Sequence, residues 1–267
     1  MKNIISLSFA ERSLLFAQLS QLSYKNNEEI EIELTKMGFS FVSHYDCSGS
    51  QAYSFCTDTD MVIVSRGTES DCWKDIRTNL RTWPTETKSG GKVHKGFLRY
   101  SEYVWPKIVK DLRIAKESKL NVWFTGHSLG GAIALILASF CEYYRFFPKP
   151  IQVYTYGAPR VGWRKFVKKL KVNHVRWVNN NDVVAYVPTK WMGYRHHGSE
   201  FYMNSWGNVR EMSAWQRAKD KLRGYFSSWR NKQFSSFSDH LIQNYIKNLK
   251  VYAKDMEFVE NKIIRFW

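Results

Sequence analysis

Ser128 lies two residues from a glycine on each side, in the run Val122-Trp123-Phe124-Thr125-Gly126-His127-Ser128-Leu129-Gly130-Gly131-Ala132. The β-branched and aromatic residues before it read as a strand, and Ala132 to Ala138 reads as a buried helix. A serine carried by a sharp turn between strand and helix presents its hydroxyl at the strand's carboxyl end, the layout of a nucleophile elbow. Gly126 and Gly130 lack Cβ atoms, so the turn can be tight and strand and helix can pack closely. Leu129 N–H then sits at a helix N-terminus, where unpaired amides favour negative charge, and can donate to an oxyanion. Gly/Ser turns are common, and the strand before and helix after are what make Ser128 a candidate nucleophile.

A serine hydroxyl attacks a carbonyl only when a base takes its proton, and the resulting imidazolium needs a carboxylate to orient and stabilise it. After an elbow of this kind the partners follow in the order acid, then histidine. His174 to Val178 reads as a strand, with Asn179-Asn180-Asn181-Asp182 just past its end, so Asp182 is the candidate acid, weighed against a turn or capping aspartate. Of the seven histidines only His196, His197 and His240 lie beyond it. His240 precedes the apolar-periodic stretch Leu241 to Ile246, whose cap is expected at Ser238 or Asp239, so a loop at a helix start can bring its imidazole to the elbow. His196 and His197 flank Gly198 near a strand at Phe201-Tyr202 expected at a sheet edge, where a hydrogen-bonded structural role fits better. Upstream, the strand Met61 to Ser65 ends in Arg66-Gly67-Thr68, the place for a second oxyanion donor, and Thr68 offers a backbone N–H and a hydroxyl there.

The elements that must hold these residues fit one domain over 1–267, because the candidates span most of the chain and no Pro/Ser-rich linker, repeat or low-complexity tract divides it. Phe9 to Leu19 reads as an amphipathic helix, since Glu11 and Arg12 interrupt what a signal peptide needs as an uncharged core. No segment reaches the roughly 18 to 20 apolar residues that span a bilayer. The expectation is a protein that is cytoplasmic as synthesised, with leaderless export open. The four cysteines lack metal-ligand spacing; a Cys47–Cys56 bridge across neighbouring strands is weighed against a reduced state, the simpler reading. A net charge of +16 could steer the chain toward nucleic acid or anionic lipid, and the absence of zinc-finger, RNP and helix-turn-helix signatures disfavours nucleic acid.

Taken together these residues resemble the class 3 lipases, the fungal-type branch of the α/β-hydrolase superfamily. Arg66-Gly67-Thr68 is similar to the family's oxyanion motif, Val93-His94-Lys95-Gly96-Phe97 to its V-H-x-G-F segment, and Gly126 to Gly131 to its G-H-S-L-G-G elbow. Gly157-Ala158-Pro159-Arg160-Val161-Gly162 resembles its G-x-P-R-V-G stretch, and Asn181-Asp182 with Val184 and Pro188 its acid loop. Tyr194, His196, Gly198 and Glu200 fall on its Y-x-H-x-G-x-E pattern, and Asp239-His240 on its last catalytic motif. The matches run in family order from about Tyr45 to Tyr245. The resemblance implies an α/β-hydrolase fold, a central mostly parallel sheet flanked by helices with a lid helix over the site. It carries Ser128, Asp182 and His240 over as a triad, Thr68 and Leu129 as oxyanion donors, and His196 as a structural residue. No cofactor or metal is implied.

Trp73, Ile76 and Leu80 recur at helical spacing between the oxyanion loop and Val93, where the family places its lid. That helix is weighed as a mobile lid against a fixed surface cover, and Trp73 and Ile76 are candidate substrate contacts in either state. The family pattern has no counterpart for 214–230, where Trp215, Ala218, Leu222, Phe226 and Trp229 share a helical face among basic residues, suited to packing on the body or to an anionic membrane. The expected activity is hydrolysis of glycerolipid esters at an interface. Phospholipase A1 action on anionic phospholipids is the alternative, acyl transfer shares the same acyl-enzyme, and a catalytically silent lipid- or nucleic-acid-binding protein is the rival of another class.

Overall fold

The computed structural model describes residues 3–67, 83–204, 206–210 and 239–264. Helices α1 (Phe9–Leu22) and α2 (Asn27–Lys36) lead into strands β1 (Ser40–Cys47), β2 (Ser50–Cys56) and β3 (Asp60–Ser65). Next come β4 (Pro84–Glu86), β5 (Lys92–His94), α3 (Lys95–Glu117), β6 (Asn121–His127), α4 (Leu129–Tyr143) and β7 (Pro150–Tyr156). The remainder holds β8 (Gly162–Trp163), α5 (Arg164–Lys169), β9 (Asn173–Asn179), β10 (Tyr194–Arg195), β11 (Ser199–Met203), β12 (Val209–Arg210) and α6 (Ile242–Ile264).

Eight strands form one sheet in the order β1-β2-β3-β6-β7-β9-β11-β12. The run from β3 to β11 is parallel; antiparallel β1 and β2 close one edge and β12 the other. The inner strands are apolar on both faces because helices cover both. Alternate residues go to opposite sides: Met61, Ile63, Val122, Phe124 and Val153 meet α3 and α4, whereas Val62, Val64, Trp123, Tyr154 and Trp177 meet α1 and α6. The β1–β2 hairpin turns through Ser48 and Gly49, both at positive φ, as a two-residue loop matching strand twist requires.

Two expectations change, for the first helix and for the strand at Phe201-Tyr202. The first helix, α1, is capped by Ser8 and Glu11 reciprocally and buries residues around most of its circumference instead of along one stripe, because α6 and the sheet enclose it. Cys47 pairs in register with Ser50 and Cys56 with Ser40, at opposite ends of the hairpin, and both are free thiols. Residues Phe201-Tyr202 lie in β11, inside the sheet, because β12 covers its outer side. The lid segment with Trp73 and Ile76, the oxyanion candidate Thr68 and the helix expected over 214–230 lie outside the described residues.

A second, four-stranded antiparallel sheet has the order β10-β8-β5-β4. Its strands come from the chain that leaves the carboxyl ends of β3, β7 and β9, so it stands at the end of the main sheet where Ser128 emerges.

Candidate active site

Strand β6 ends between β3 and β7, with Gly126 opposite Ser65 and His127 opposite Tyr156. Ser128 follows at φ 59°, ψ −130°, a conformation L residues seldom adopt, and α4 begins at Leu129. Such a backbone costs ~1 to 3 kcal/mol and persists only where its surroundings hold it. Here Ser128 N donates to Tyr156 O at 2.9 Å and Gly131 N donates to Ser128 O at 3.0 Å. Gly130 is required by close approach: a Cβ there would collide with Ser65 O and lie 2.9 Å from the Arg66 carbonyl carbon. Leu129 is the first residue of α4, where backbone N–H groups lack intrahelical acceptors. A Cβ placed on Gly67 would come within 3.3 Å of Ser128 Cβ, so the turn leading to Thr68 starts against the elbow. The Ser128 side chain is fully buried and its Oγ makes no hydrogen bond among the described residues, where the sequence predicts an exposed hydroxyl.

Asp182 lies three residues beyond the end of β9 and is fully buried. Its Oδ1 accepts from Val184 N at 2.9 Å, and both carboxylate oxygens lie 2.9 Å from His240 Nδ1. An ionised carboxylate only accepts, so His240 Nδ1–H donates and the neutral imidazole keeps its lone pair on Nε2. Gly157, at φ +59°, admits this pair: a Cβ there would stand 3.0 Å from two imidazole atoms and collide with Asp182 Oδ2. The Asp239 carboxylate accepts from Asn180 Nδ2 at 3.0 Å and Asn181 N at 3.3 Å, tying the histidine loop to the acid loop; Ser238, the other cap expected for α6, lies outside the described residues. Burial raises the Asp239 carboxyl to about 6, against the hydrogen bonds from Asn181 and Asn180 that lower it.

Two tethers escape a reading of the motifs alone. Tyr245 donates to Asp182 Oδ2 at 2.6 Å and accepts from Asn179 N at 3.0 Å. Burial first, then the Asp182 charge, pushes its hydroxyl well above the usual tyrosine range, so it remains a donor. Tyr245 occurs in the apolar stretch after His240, and the one available signal is that a buried tyrosine hydroxyl needs a partner. His127 lies against His240, ring centroids 4.6 Å apart, and its Nε2 is 2.7 Å from His240 O. A carbonyl only accepts, so Nε2 carries the proton and Nδ1 accepts from the Tyr24 hydroxyl at 2.9 Å. Burial and the neighbouring His240 hold His127 well below the usual histidine range, consistent with this neutral tautomer. The chain Tyr24–His127–His240 thus connects the end of α1 to the elbow and the histidine loop.

The other histidines stand apart from this cluster. His196 Nε2 lies 2.6 Å from Ala185 O, and His197 stacks on His174, centroids 5.6 Å apart. Among the described residues, no group of three or more His, Cys, Asp or Glu side chains is disposed to hold a metal ion.

A mostly parallel sheet with helices on both faces and a serine elbow on a central strand defines the α/β-hydrolase class. Residues 62–192 match the family model for Lipase (class 3). The lipase of Rhizopus niveus is 32% identical over 209 residues, covering 73% of this chain and 50% of that one. The chloroplastic phospholipase A(1) DAD1 of Arabidopsis thaliana is 32% identical over 164 residues, 53% of this chain and 36% of that one. Among solved structures, the native Rhizomucor miehei lipase propeptide complex superposes with a TM-score of 0.66 at 26% identity, covering 76% of this chain and 71% of that one. The chain belongs to the class 3 lipase family. It spans between about a sixth and a half of the length of the curated relatives matched first.

Proposed function

We propose that the chain is a serine ester hydrolase acting on glycerolipids. Ser128 Oγ attacks the ester carbonyl carbon while His240 Nε2 takes its proton, and Leu129 N–H and Thr68 hold the oxyanion. Collapse of the adduct expels the alcohol with the proton from His240. Water, deprotonated in turn by His240, then releases the fatty acid and restores Ser128. Asp182 accepts from Nδ1–H, which leaves the Nε2 lone pair to take the serine proton. The observation that carries this reading is the buried His240–Asp182 pair, its imidazole centroid 4.6 Å from that of His127, the residue that precedes a serine held at positive φ. Class membership and the relatives named as lipases support ester hydrolysis over a silent binding role, and Trp73 and Ile76 are retained as the proposed substrate contacts.

Similarity to a phospholipase A(1), together with the +16 net charge, favours a second reading in which the lipid is an anionic phospholipid. A substrate panel of triolein droplets, diacylglycerol and phosphatidylglycerol vesicles at low and high salt, with Ser128→Ala as control, separates these. Activity on phosphatidylglycerol that falls with salt selects the phospholipase. Equal rates on neutral and anionic lipid, unaffected by salt, remove its motive. Product analysis with added alcohol distinguishes acyl transfer, and a wild type that hydrolyses no ester overturns the proposal.

A further inference from the structure

The small sheet beside the site carries charge and aromatic surface that ester chemistry does not use. Segments 83–95, 162–171 and 188–195 supply ten lysines and arginines against one carboxylate, Glu86, which accounts for more than half of the +16 net charge. Between them lies a cavity of about 330 Å³ lined by Lys92, Trp163, Arg164, Lys165 and Arg195, with Gly193 and Glu86 completing the wall. The Lys92 ammonium lies 5.0 Å from the Trp163 ring centroid, a cation–π contact that holds a charge over the cavity. Trp83 immediately precedes edge strand β4, and Trp191 occupies the turn before the other edge strand, β10; each is 85% exposed.

An indole left in water forgoes burial worth ~1.5 to 3 kcal/mol for a large side chain, and indoles concentrate at membrane–water boundaries, where ring and N–H are both accommodated. Two such side chains flank the two edges of one basic sheet, and that sheet stands at the serine's end of the molecule. We propose that this face docks the protein on an anionic phospholipid bilayer, with the basic cavity taking headgroup phosphates and Trp83 and Trp191 seated at headgroup level. That docking delivers ester bonds to Ser128 rests on the hydrolase reading above; the docking itself does not. A bilayer is favoured over nucleic acid because both edges of the basic sheet carry an exposed indole, the side chain that concentrates at membrane–water boundaries.

The test is co-sedimentation of the full chain with vesicles of phosphatidylcholine alone and of phosphatidylcholine with one third phosphatidylglycerol, at low and high salt. Binding is expected only with phosphatidylglycerol and should weaken with salt. Arg164→Gln/Lys165→Gln, at two exposed positions, should weaken it about thirtyfold, at about fivefold per charge. Trp191→Ala should weaken it roughly tenfold. Turnover of a soluble short-chain ester should be unchanged in both variants. Variants that bind phosphatidylglycerol vesicles as the wild type does overturn the proposal, as does binding that ignores phosphatidylglycerol. Retention on single-stranded RNA without vesicle binding overturns it in favour of nucleic acid. Vesicle binding without any ester turnover would instead sink the hydrolase reading and leave docking standing.

Discussion

Tyr245→Phe separates what holds the acid in place from what performs chemistry. The substitution removes the 2.6 Å O–H donor to Asp182 and the 3.0 Å acceptor for Asn179 N–H, both buried. A hydrogen bond to a charged group contributes ~1.5 to 3 kcal/mol, and a buried N–H left without an acceptor costs ~1 to 3 kcal/mol. Together they predict a stability loss of about 3 to 5 kcal/mol, which at ~2 to 4 °C per kcal/mol lowers Tm by about 10 °C. The rate should suffer less. Asp182 keeps Val184 N–H and the His240 pairing, so kcat on a soluble ester should fall about tenfold or less, ~1.4 kcal/mol of barrier. Asp182→Asn, which forces the wrong tautomer on His240, should cost about 10⁴ in kcat. Chemical denaturation and steady-state kinetics on the same preparations read both quantities. A Tyr245→Phe variant as stable as the wild type, or one that loses activity as severely as Asp182→Asn while keeping its stability, would show that Tyr245 does not hold the acid in this way.

Gly157→Ala places a methyl group against the imidazole and Asp182 at a positive-φ position, and should reduce kcat by more than about a hundredfold and lower Tm as well, read by kinetics and thermal unfolding on one preparation. His127→Phe strips the donor from the buried His240 carbonyl and should lower kcat about tenfold, whereas Tyr24→Phe, which spares that bond, should have a smaller effect; equal losses would break the proposed tether. Acid should destabilise the fold. His127, His174 and His196 are held well below 6.5 by burial, so their contribution is complete above that value and drains away as pH falls through and below it. Asp239, raised to about 6, acts with opposite sign: its contribution is full below its ordinary 3.8 and is lost as pH rises through about 6. Three histidines outweigh one acid, so Tm should fall from about pH 7 to about pH 5, and Asp239→Asn should steepen the fall; a Tm that rises on acidification contradicts this.

The elbow was readable because its determinants are local: an apolar strand, two glycines and a helix within eleven residues leave one backbone path for Ser128. Strand β9 and its asparagine-rich exit pointed to Asp182 for the same reason, and the order of partners narrowed the histidines to His240. The tethers were not readable, because Tyr245 reaches Asp182 across 63 residues and Tyr24 reaches His127 across 103, distances that only the packed sheet closes. Periodicity described α1 as one-sided because it cannot show that α6 lies on the helix's other flank. The same limit applies to Asp239, whose carboxylate accepts from Asn180 and Asn181, 59 and 58 residues away in sequence.

Ser128 is proposed to be a nucleophile activated by His240. Labelling with a fluorophosphonate, followed by mass mapping of the modified peptide, tests it most directly. One adduct on Ser128 is expected in the wild type, none in Ser128→Ala and a strongly slowed reaction in His240→Ala. An adduct at another serine, or labelling that proceeds equally without His240, would contradict it.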